Sequence, residues 1–238
     1  MKEANDSAYY LSHKLEILSQ FETHSQAWKP LLIKSYGDTF TNLVINETRR
    51  QYELFIPKIP YIGGDKNPMT RHLIRSTTSL IFYLVMKSHG KTAEETGKII
   101  YDAVQESVKH LPLQPGKEMS PEFMAQEQEL ARKSQERQFP GNWLWYFVKG
   151  DGIEFDYGYN YLECSTQKLY QAHHAEEFLP YYCYLDFVTA RTPGWGVIRT
   201  ETLSEGYSRC NSRVKKGWVT QKGWPPPFTI NKSAPEHA

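Results

Sequence analysis

The spacing of apolar residues changes once along the 238-residue chain, and this change limits the folds that the chain can adopt. Up to about residue 137, apolar side chains recur every three or four residues, as on one face of an amphipathic helix. After Phe139-Pro140-Gly141, aromatic and β-branched residues occur in short alternating runs, which are typical of strands. The pattern predicts an α+β fold, with an N-terminal helical half packed on a C-terminal antiparallel sheet that has intervening helices.

The helical half has clear start and stop signals. Gly90 follows one apolar stripe in a good C-terminal position, Thr92 and Glu95 form a capping box, and Ser120-Pro121 begins another helix. The predicted helices cover approximately residues 10–34, 37–56, 73–85, 93–108 and 121–137.

The second half predicts strands that are separated by turns and short helices. A strand over 143–148 leads into the turn Gly150-Asp151-Gly152, and alternation from Ile153 to Tyr161 predicts its hairpin partner. Helices are expected over 164–172 and 178–188, and strands over 196–203 and 210–219. We therefore expect a helical portion over 1–138, an α+β portion over 139–224 that carries the site, and a loose tail over 225–238, the first two forming one continuous domain.

The charge balance narrows the range of partners. Twenty-eight basic residues against 27 acidic ones leave a net charge of +1, which gives no electrostatic support for nucleic-acid or membrane-surface binding. No apolar run approaches the roughly 20 residues of a membrane span, and residues 1–20 lack a signal-peptide pattern. We expect a cytoplasmic protein that acts on a small molecule without a cofactor. The sequence leaves open whether it forms a homo-oligomer.

All three cysteines lie between Asp156 and Lys216, and this stretch is the predicted functional centre. An odd number without a CxxC spacing indicates reduced thiols, and separations of 19 and 27 residues match no usual zinc pattern. Cys164 is expected at a strand-to-helix junction, where a helix N-terminus lowers a thiol pKa and favours the nucleophilic thiolate. Cys183, inside an aromatic helix, is better suited to packing, and any free cysteine can be a small buried hydrophobe.

Charged residues in the same stretch supply further candidates. Glu163 and Asp186 are acids in aromatic surroundings, and each would need a partner such as Arg199 or Arg213 if buried. His174 is a candidate for proton transfer, with an ordinary surface loop as its alternative. The sequence has no GxSxG, phosphate-loop or GxGxxG motif.

Six further motifs follow one another along the chain: Pro60-Tyr-Ile-Gly-Gly64, Gly90-Lys-Thr-Ala-Glu-Glu-Thr-Gly97, Phe155-Asp-Tyr-Gly158, Glu163-Cys164, Leu179-Pro-Tyr-Tyr-Cys-Tyr-Leu-Asp186 and Arg199-Thr-Glu-Thr-Leu-Ser-Glu-Gly206. By their order and spacing, these motifs resemble the L-2-amino-thiazoline-4-carboxylic acid hydrolase family over about residues 10–220. The family's usual Cys-Asp-Phe-Arg ending reads Cys210-Asn211-Ser212-Arg213 in this chain. More remotely, the layout is similar to vinyl-reductase-like small-molecule-binding domains.

The resemblance implies a hydrolase that acts on carbon–nitrogen bonds other than peptide bonds. Its reaction would open a cyclic amidine at the carbon between nitrogen and sulfur, giving an N-carbamoyl cysteine. That chemistry needs a nucleophile or activated water, an acid for the departing atom and a cation for the substrate carboxylate. The expected catalytic residues are Cys164, Glu163, Asp186, Cys210 and His174, and the expected substrate-binding residues are Arg199, Arg213, Thr202 and Tyr157.

Other classes of function remain open at this point. A lyase or isomerase acting on another small ring would use similar residues. A non-catalytic small-molecule-binding module would use the aromatic cluster alone, and the charged helix from Glu122 to Arg137 would suit an interaction scaffold. Thiol reactivity separates an enzyme of either kind from a binding module, since a binding module needs no activated thiol.

Overall fold

A computed structural model of the chain describes residues 2–109, 120–190, 195–220 and 223–226. The loose tail predicted over 225–238 lies almost entirely outside these residues. The helices are α1 (Lys2–Ser12), α2 (Lys14–Phe55), α3 (Thr70–Ser88), α4 (Ala93–Lys109), α5 (Pro121–Ser134), α6 (Ser165–Ala172), α7 (Leu179–Cys183) and α8 (Leu185–Thr189). The strands are β1 (Leu144–Lys149), β2 (Tyr157–Glu163), β3 (Trp195–Arg199) and β4 (Cys210–Lys216).

A three-helix layer of α2, α3 and α4 forms most of the N-terminal half. Its apolar stripes face one another, as the helical spacing predicts, and Trp28 of α2 stacks on Phe82 of α3 with ring centroids 4.2 Å apart. The long helix α2 is interrupted at Gly37, whose φ of 81° is a conformation that L side chains rarely adopt. The predicted separation of two helices at this glycine is confirmed as a kink.

The predicted helix over 10–34 is wrong at its start. Helix α1 ends at Ser12 and α2 begins at Lys14, so residue 13 interrupts the predicted segment. The side chains of Ser12 and His13 both bond the carbonyl oxygen of Tyr9, at 2.7 and 2.8 Å. Such local side-chain bonds compete with helix continuation, and apolar spacing does not reveal them.

The helix caps agree with the sequence. In the Thr92–Glu95 box, the Glu95 amide donates to Thr92 Oγ1 at 3.1 Å and the Thr92 amide donates to Glu95 Oε2 at 2.8 Å. Ser120 caps α5 by accepting the Phe123 amide at 3.1 Å. Helix α5 ends at Ser134, three residues before the predicted end, and packs on β1.

The four strands form one antiparallel sheet in the order β1-β2-β4-β3. The helices precede the sheet and also lie within its connections, which confirms the α+β class. Helices α6, α7 and α8 of the second half pack on α3 and α4 of the first half.

Some predicted boundaries in the second half are wrong. Ile153 and Phe155 belong to the hairpin loop, because Gly150 and Gly152 donate to the carbonyls of Asp156 and Phe155 and hold a loop of 150–156. The helix predicted over 178–188 is split at Tyr184 into α7 and α8. Strands β3 and β4 end at Arg199 and Lys216, earlier than predicted.

The described helices do not meet the requirements of a membrane span. None of them combines the length and the apolar character that crossing a bilayer requires.

Candidate functional site

The register of the sheet decides which side chains can meet. Residues that pair directly across antiparallel strands point to the same face. Tyr161 pairs with Cys210, and Ser212 pairs with both Tyr159 and Arg199, so these side chains share one face. This inner face is turned towards the helices, whereas the outer face carries the exposed Tyr146, Leu162 and Ile198.

A pocket of about 300 Å³ lies between the inner face and the helices. Helix α3 borders it at its start, α6 at its N-terminus, and α7 and α8 along one side. Its lining is mainly apolar and aromatic, which is typical of small-molecule sites. The lining residues are Met69, His72, Trp143, Tyr159, Tyr161, Cys164, Thr166, Tyr182, Cys183, Asp186, Phe187, Ala190, Val197, Arg199, Cys210, Ser212 and Val214.

All three cysteines line this pocket, although they belong to different elements. Cys164 is the N-cap residue of α6, Cys183 is the last residue of α7 and Cys210 is the first residue of β4. Each is a free thiol with partial solvent exposure. Cys183, which the sequence favoured as a packing residue, therefore faces the same space as the other two.

Burial decides the protonation state of the thiols. It raises the pKa of Cys164, while the amides of Thr166 and Gln167 and the Trp143 side chain act in the opposite direction. The Cys164 side chain makes no cap hydrogen bond to α6. The lowering of this pKa expected from a helix N-terminus is thus present but outweighed, because a thiolate surrounded by protein loses its hydration.

The other two thiols follow the same rule. Burial raises the pKa of Cys183 well above its usual range, and the positive charge of Arg199 only partly opposes it. Burial also raises the pKa of Cys210 to about 11, although its sulfur accepts the Leu203 amide at 3.2 Å. All three thiols are therefore neutral at neutral pH in the resting pocket.

Arg199 and Asp186 form the charged pair of the site. The Arg199 side chain is 6% exposed, and its Nη1 donates to Asp186 Oδ2 at 2.8 Å. Its Nη2 donates to the Cys183 carbonyl at 2.7 Å, and the guanidinium lies 4.7 Å from the centre of the Phe187 ring. This pairing was one of the two predicted for Asp186, and it places a cation and a carboxylate against the pocket.

Glu163 does not join this pocket, although it precedes Cys164. Its carboxylate pairs with Arg137 and Lys168 instead. Lys168 is the main cause of a lowered pKa for Glu163, and Arg137 adds to it. Glu163 is the last residue of β2, whereas Cys164 has left the strand and is the N-cap residue of α6, so adjacent positions in the sequence have different surroundings.

Arg213 lies on the outer face of the sheet. It pairs with Gly158 and Ile198, and its guanidinium bonds Asn160 Oδ1 at 3.0 Å and stacks over Phe155. Gly158 allows this approach, since a Cβ there would lie 2.8 Å from the Arg213 side chain and 2.4 Å from the Ser212 carbonyl oxygen. Arg213 thus links β4 to β2 through Asn160 and does not line the pocket.

The other predicted residues also lie outside the pocket lining. His174 is exposed in the turn after α6, where its carbonyl accepts Lys87 Nζ at 3.4 Å. Thr202 bonds Ser204 and Glu205 in the β3–β4 connection. Tyr157 is on the inner face but packs against Phe123 and Phe147.

His72 is a pocket residue that no motif in the sequence singles out. It lies in the first turn of α3, with its ring 6.2 Å from that of Trp143. Burial lowers its pKa; the Asp186 carboxylate opposes this shift and Arg75 adds to it. The only signal in the sequence is a histidine at the polar start of an apolar helix, which many surface histidines share.

The described residues provide no metal centre. No group of three or more histidine, cysteine, aspartate or glutamate side chains in these parts of the chain is arranged to hold an ion. Apart from tyrosines, the ionisable side chains in the described lining of the pocket are the three thiols, the Arg199–Asp186 pair and His72.

Comparison with protein families adds the decisive observation. Residues 71–214 match the family model described as L-2-amino-thiazoline-4-carboxylic acid hydrolase. The chain belongs to this family. The match includes His72, all three cysteines and the Arg199–Asp186 pair, and every described residue that lines the pocket except Met69 lies within it. Searches of curated proteins and of solved structures found no match.

Proposed function

We propose that this pocket hydrolyses a small cyclic amidine that carries a carboxylate, such as L-2-amino-thiazoline-4-carboxylate. One observation carries the proposal: a buried arginine paired with an aspartate faces three thiols across a single aromatic-walled pocket. Family membership supplies the reaction class, and the pocket supplies groups that suit both ends of such a substrate.

The charged pair complements the substrate's two charges. Arg199 can hold the carboxylate, and its buried Nε has no hydrogen-bond partner in the described structure. An unpaired buried donor costs free energy, which a bound carboxylate would recover. Asp186 bonds Arg199 through Oδ2, which leaves Oδ1 to accept an N–H of the amidinium.

The aromatic lining suits the flat ring between these charges. Trp143, Tyr161 and Phe187 provide apolar surfaces, and the pocket volume of about 300 Å³ is at the lower end for small-molecule sites. Planar five-membered rings therefore fit better than long or branched substrates.

Cys164 is the proposed nucleophile. Its sulfur bonds the amidinium carbon while the electron pair of the C=N bond moves onto the ring nitrogen. The ring C–S bond then breaks and its electron pair leaves on the substrate sulfur, which takes a proton. Water next attacks the same carbon, and the Cys164 sulfur departs with its electron pair, leaving an N-carbamoyl cysteine. The amides of Thr166 and Gln167 and the Trp143 side chain stabilise this thiolate when it forms.

Product analysis distinguishes this cleavage of the ring C–S bond from the cleavage of the ring C–N bond that the name of the reaction class suggests. Cleavage of the ring C–S bond gives N-carbamoyl cysteine, which has a free thiol and no free amine. Cleavage of the ring C–N bond gives the S-carbamoyl isomer, which has a free amine and no free thiol. A thiol reagent and mass spectrometry of the product therefore identify the bond that breaks.

The test uses three matched variants: Cys164→Ser, Cys183→Ser and Cys210→Ser, each assayed with L-2-amino-thiazoline-4-carboxylate. We expect turnover by the wild type and a loss of at least about 10³-fold in kcat for Cys164→Ser, with smaller losses for the other two. Full turnover by Cys164→Ser would remove that thiol from the mechanism and leave direct attack by water. No turnover by the wild type would refute the proposal.

A non-catalytic binding module is the second candidate. It is favoured by the raised pKa values of all three thiols, since burial without activation is the usual state of packing cysteines. It predicts saturable binding of the same ring acid, with no conversion over prolonged incubation.

A further inference from the structure

His72 is the imidazole in the pocket that is not assigned a role by the proposed reaction. It lines the same space as Cys164, Asp186 and Arg199, and Trp143 lies beside its ring. His72 comes from the first turn of α3, whereas the thiols and the charged pair come from the second half of the chain.

The ring nitrogens of His72 are available to a ligand. Within the described residues, neither nitrogen makes a hydrogen bond, and the residue keeps partial solvent exposure. Burial lowers the pKa of this imidazole below its usual value, so the ring is neutral at neutral pH and can accept a proton.

The resting thiols create the need for such a base. Burial keeps the Cys164 thiol neutral, so the sulfur must lose a proton before or while it attacks carbon. Asp186 is already engaged with Arg199, and Glu163 and His174 lie outside the pocket. Of the described lining residues, the imidazole is the neutral base suited to moving a proton near pH 7.

We propose that His72 is the general base and general acid of this pocket, an inference that rests on the proposed hydrolysis. His72 takes the Cys164 proton as the sulfur bonds the amidinium carbon. It then gives that proton to the ring sulfur as the C–S bond breaks. In the second half it takes a proton from the attacking water and returns it to the departing Cys164 sulfur. The protonated carbamoyl product releases one proton to solvent, and the imidazole ends neutral.

The test compares His72→Gln with the matched control His24→Gln. His24 is also a partly buried histidine with a pKa lowered by burial, and it stacks on Trp28, but it lies in the helical layer away from the pocket. We expect His72→Gln to lose about 10²- to 10⁴-fold in kcat with substrate Kd changed less than about threefold, whereas His24→Gln keeps wild-type kcat.

A second measurement uses the wild type, and it tests the inference even if the His72→Gln variant does not fold. Diethylpyrocarbonate reacts with neutral, accessible imidazole nitrogens, so site-resolved mass spectrometry of the wild type should show modification of His72, prevented by the ring acid. Loss of kcat should follow the modification of His72. A His72→Gln variant with more than a tenth of wild-type kcat, or a wild type in which modified His72 leaves turnover intact, would overturn the inference. If the wild type itself does not turn over, the proposed hydrolysis fails first and the role of His72 fails with it.

Discussion

The protonation of the pocket thiols is the residue-level property with the clearest consequence. Because burial raises their pKa values, native Cys164, Cys183 and Cys210 should react slowly with iodoacetamide at pH 7. The rate should rise as pH increases beyond the ordinary thiol range, since only the thiolate reacts. In urea all three should react at the rate of an exposed cysteine. Rapid alkylation of native Cys164 at pH 7, measured by peptide mass spectrometry, would contradict the raised pKa of this thiol.

Glu163 gives a second residue-level prediction, by contrast with Asp186. Glu163→Gln should keep kcat within about twofold and lower the free energy of unfolding by at most about 1 kcal/mol, because its partners are partly exposed. The lowered pKa of Glu163 makes its contribution present above the unfolded pKa and lost as pH falls through the folded value. The stability difference between the two proteins should therefore disappear in acid.

Asp186→Asn is the matched variant for this comparison. It should lose activity, because it weakens the pair with Arg199 that faces the pocket. Equal kcat values for the two variants, or a greater loss for Glu163→Gln, would contradict the placement of these two acids.

The sequence already contained part of the information on the site. It placed Cys164, Cys210, Asp186 and Arg199 in one functional stretch, and the structure brings these four to one pocket. Strand alternation could also have separated Cys210 from Arg213, three positions apart on the same strand. The position of His72 in the pocket could not be predicted from the sequence, because it depends on how α3 packs against the later elements.

At the level of elements, the capping motifs predicted the starts of α4 and α5 correctly. Thr92→Ala should lower the free energy of unfolding by about 1 kcal/mol, since it removes one half of the capping box of α4. Ser107→Ala in the same helix is the control, because that exposed hydroxyl only bonds the Val104 carbonyl; its effect should stay within about 0.5 kcal/mol. Urea unfolding of both variants measures the difference. An equal loss in the two would contradict the role of the cap.

Boundaries were less predictable than the elements themselves. The alternation of Ile153 and Phe155 continues the strand pattern into the hairpin loop, where Asp151 Oδ1 accepts the amides of Ile153 and Glu154 at 2.8 Å. Likewise, nothing in the apolar pattern marks the division at Tyr184 between α7 and α8. Turn hydrogen bonds and packing decide these limits, and hydrophobic periodicity reports neither.

At the level of the whole molecule, the pocket exists only where the two halves meet. Helix α3 supplies His72, the sheet supplies Arg199 and Cys210, and the connecting helices supply Cys183 and Asp186. Neither half contains a complete set of groups for the proposed reaction. The family match likewise begins in α3 and extends into the last strand.

The two candidate arginines allow the most direct test of where the substrate binds. Arg199 faces the pocket and Arg213 lies on the opposite face of the sheet, so Arg199→Lys and Arg213→Lys form a matched pair. The measured quantity is the ratio of kcat/KM for L-2-amino-thiazoline-4-carboxylate to kcat/KM for 2-amino-thiazoline, which lacks the carboxylate. The ratio should fall about 10- to 100-fold in Arg199→Lys and stay at the wild-type value in Arg213→Lys. An unchanged ratio in Arg199→Lys, or a fall confined to Arg213→Lys, would contradict the assignment of this pocket as the active site.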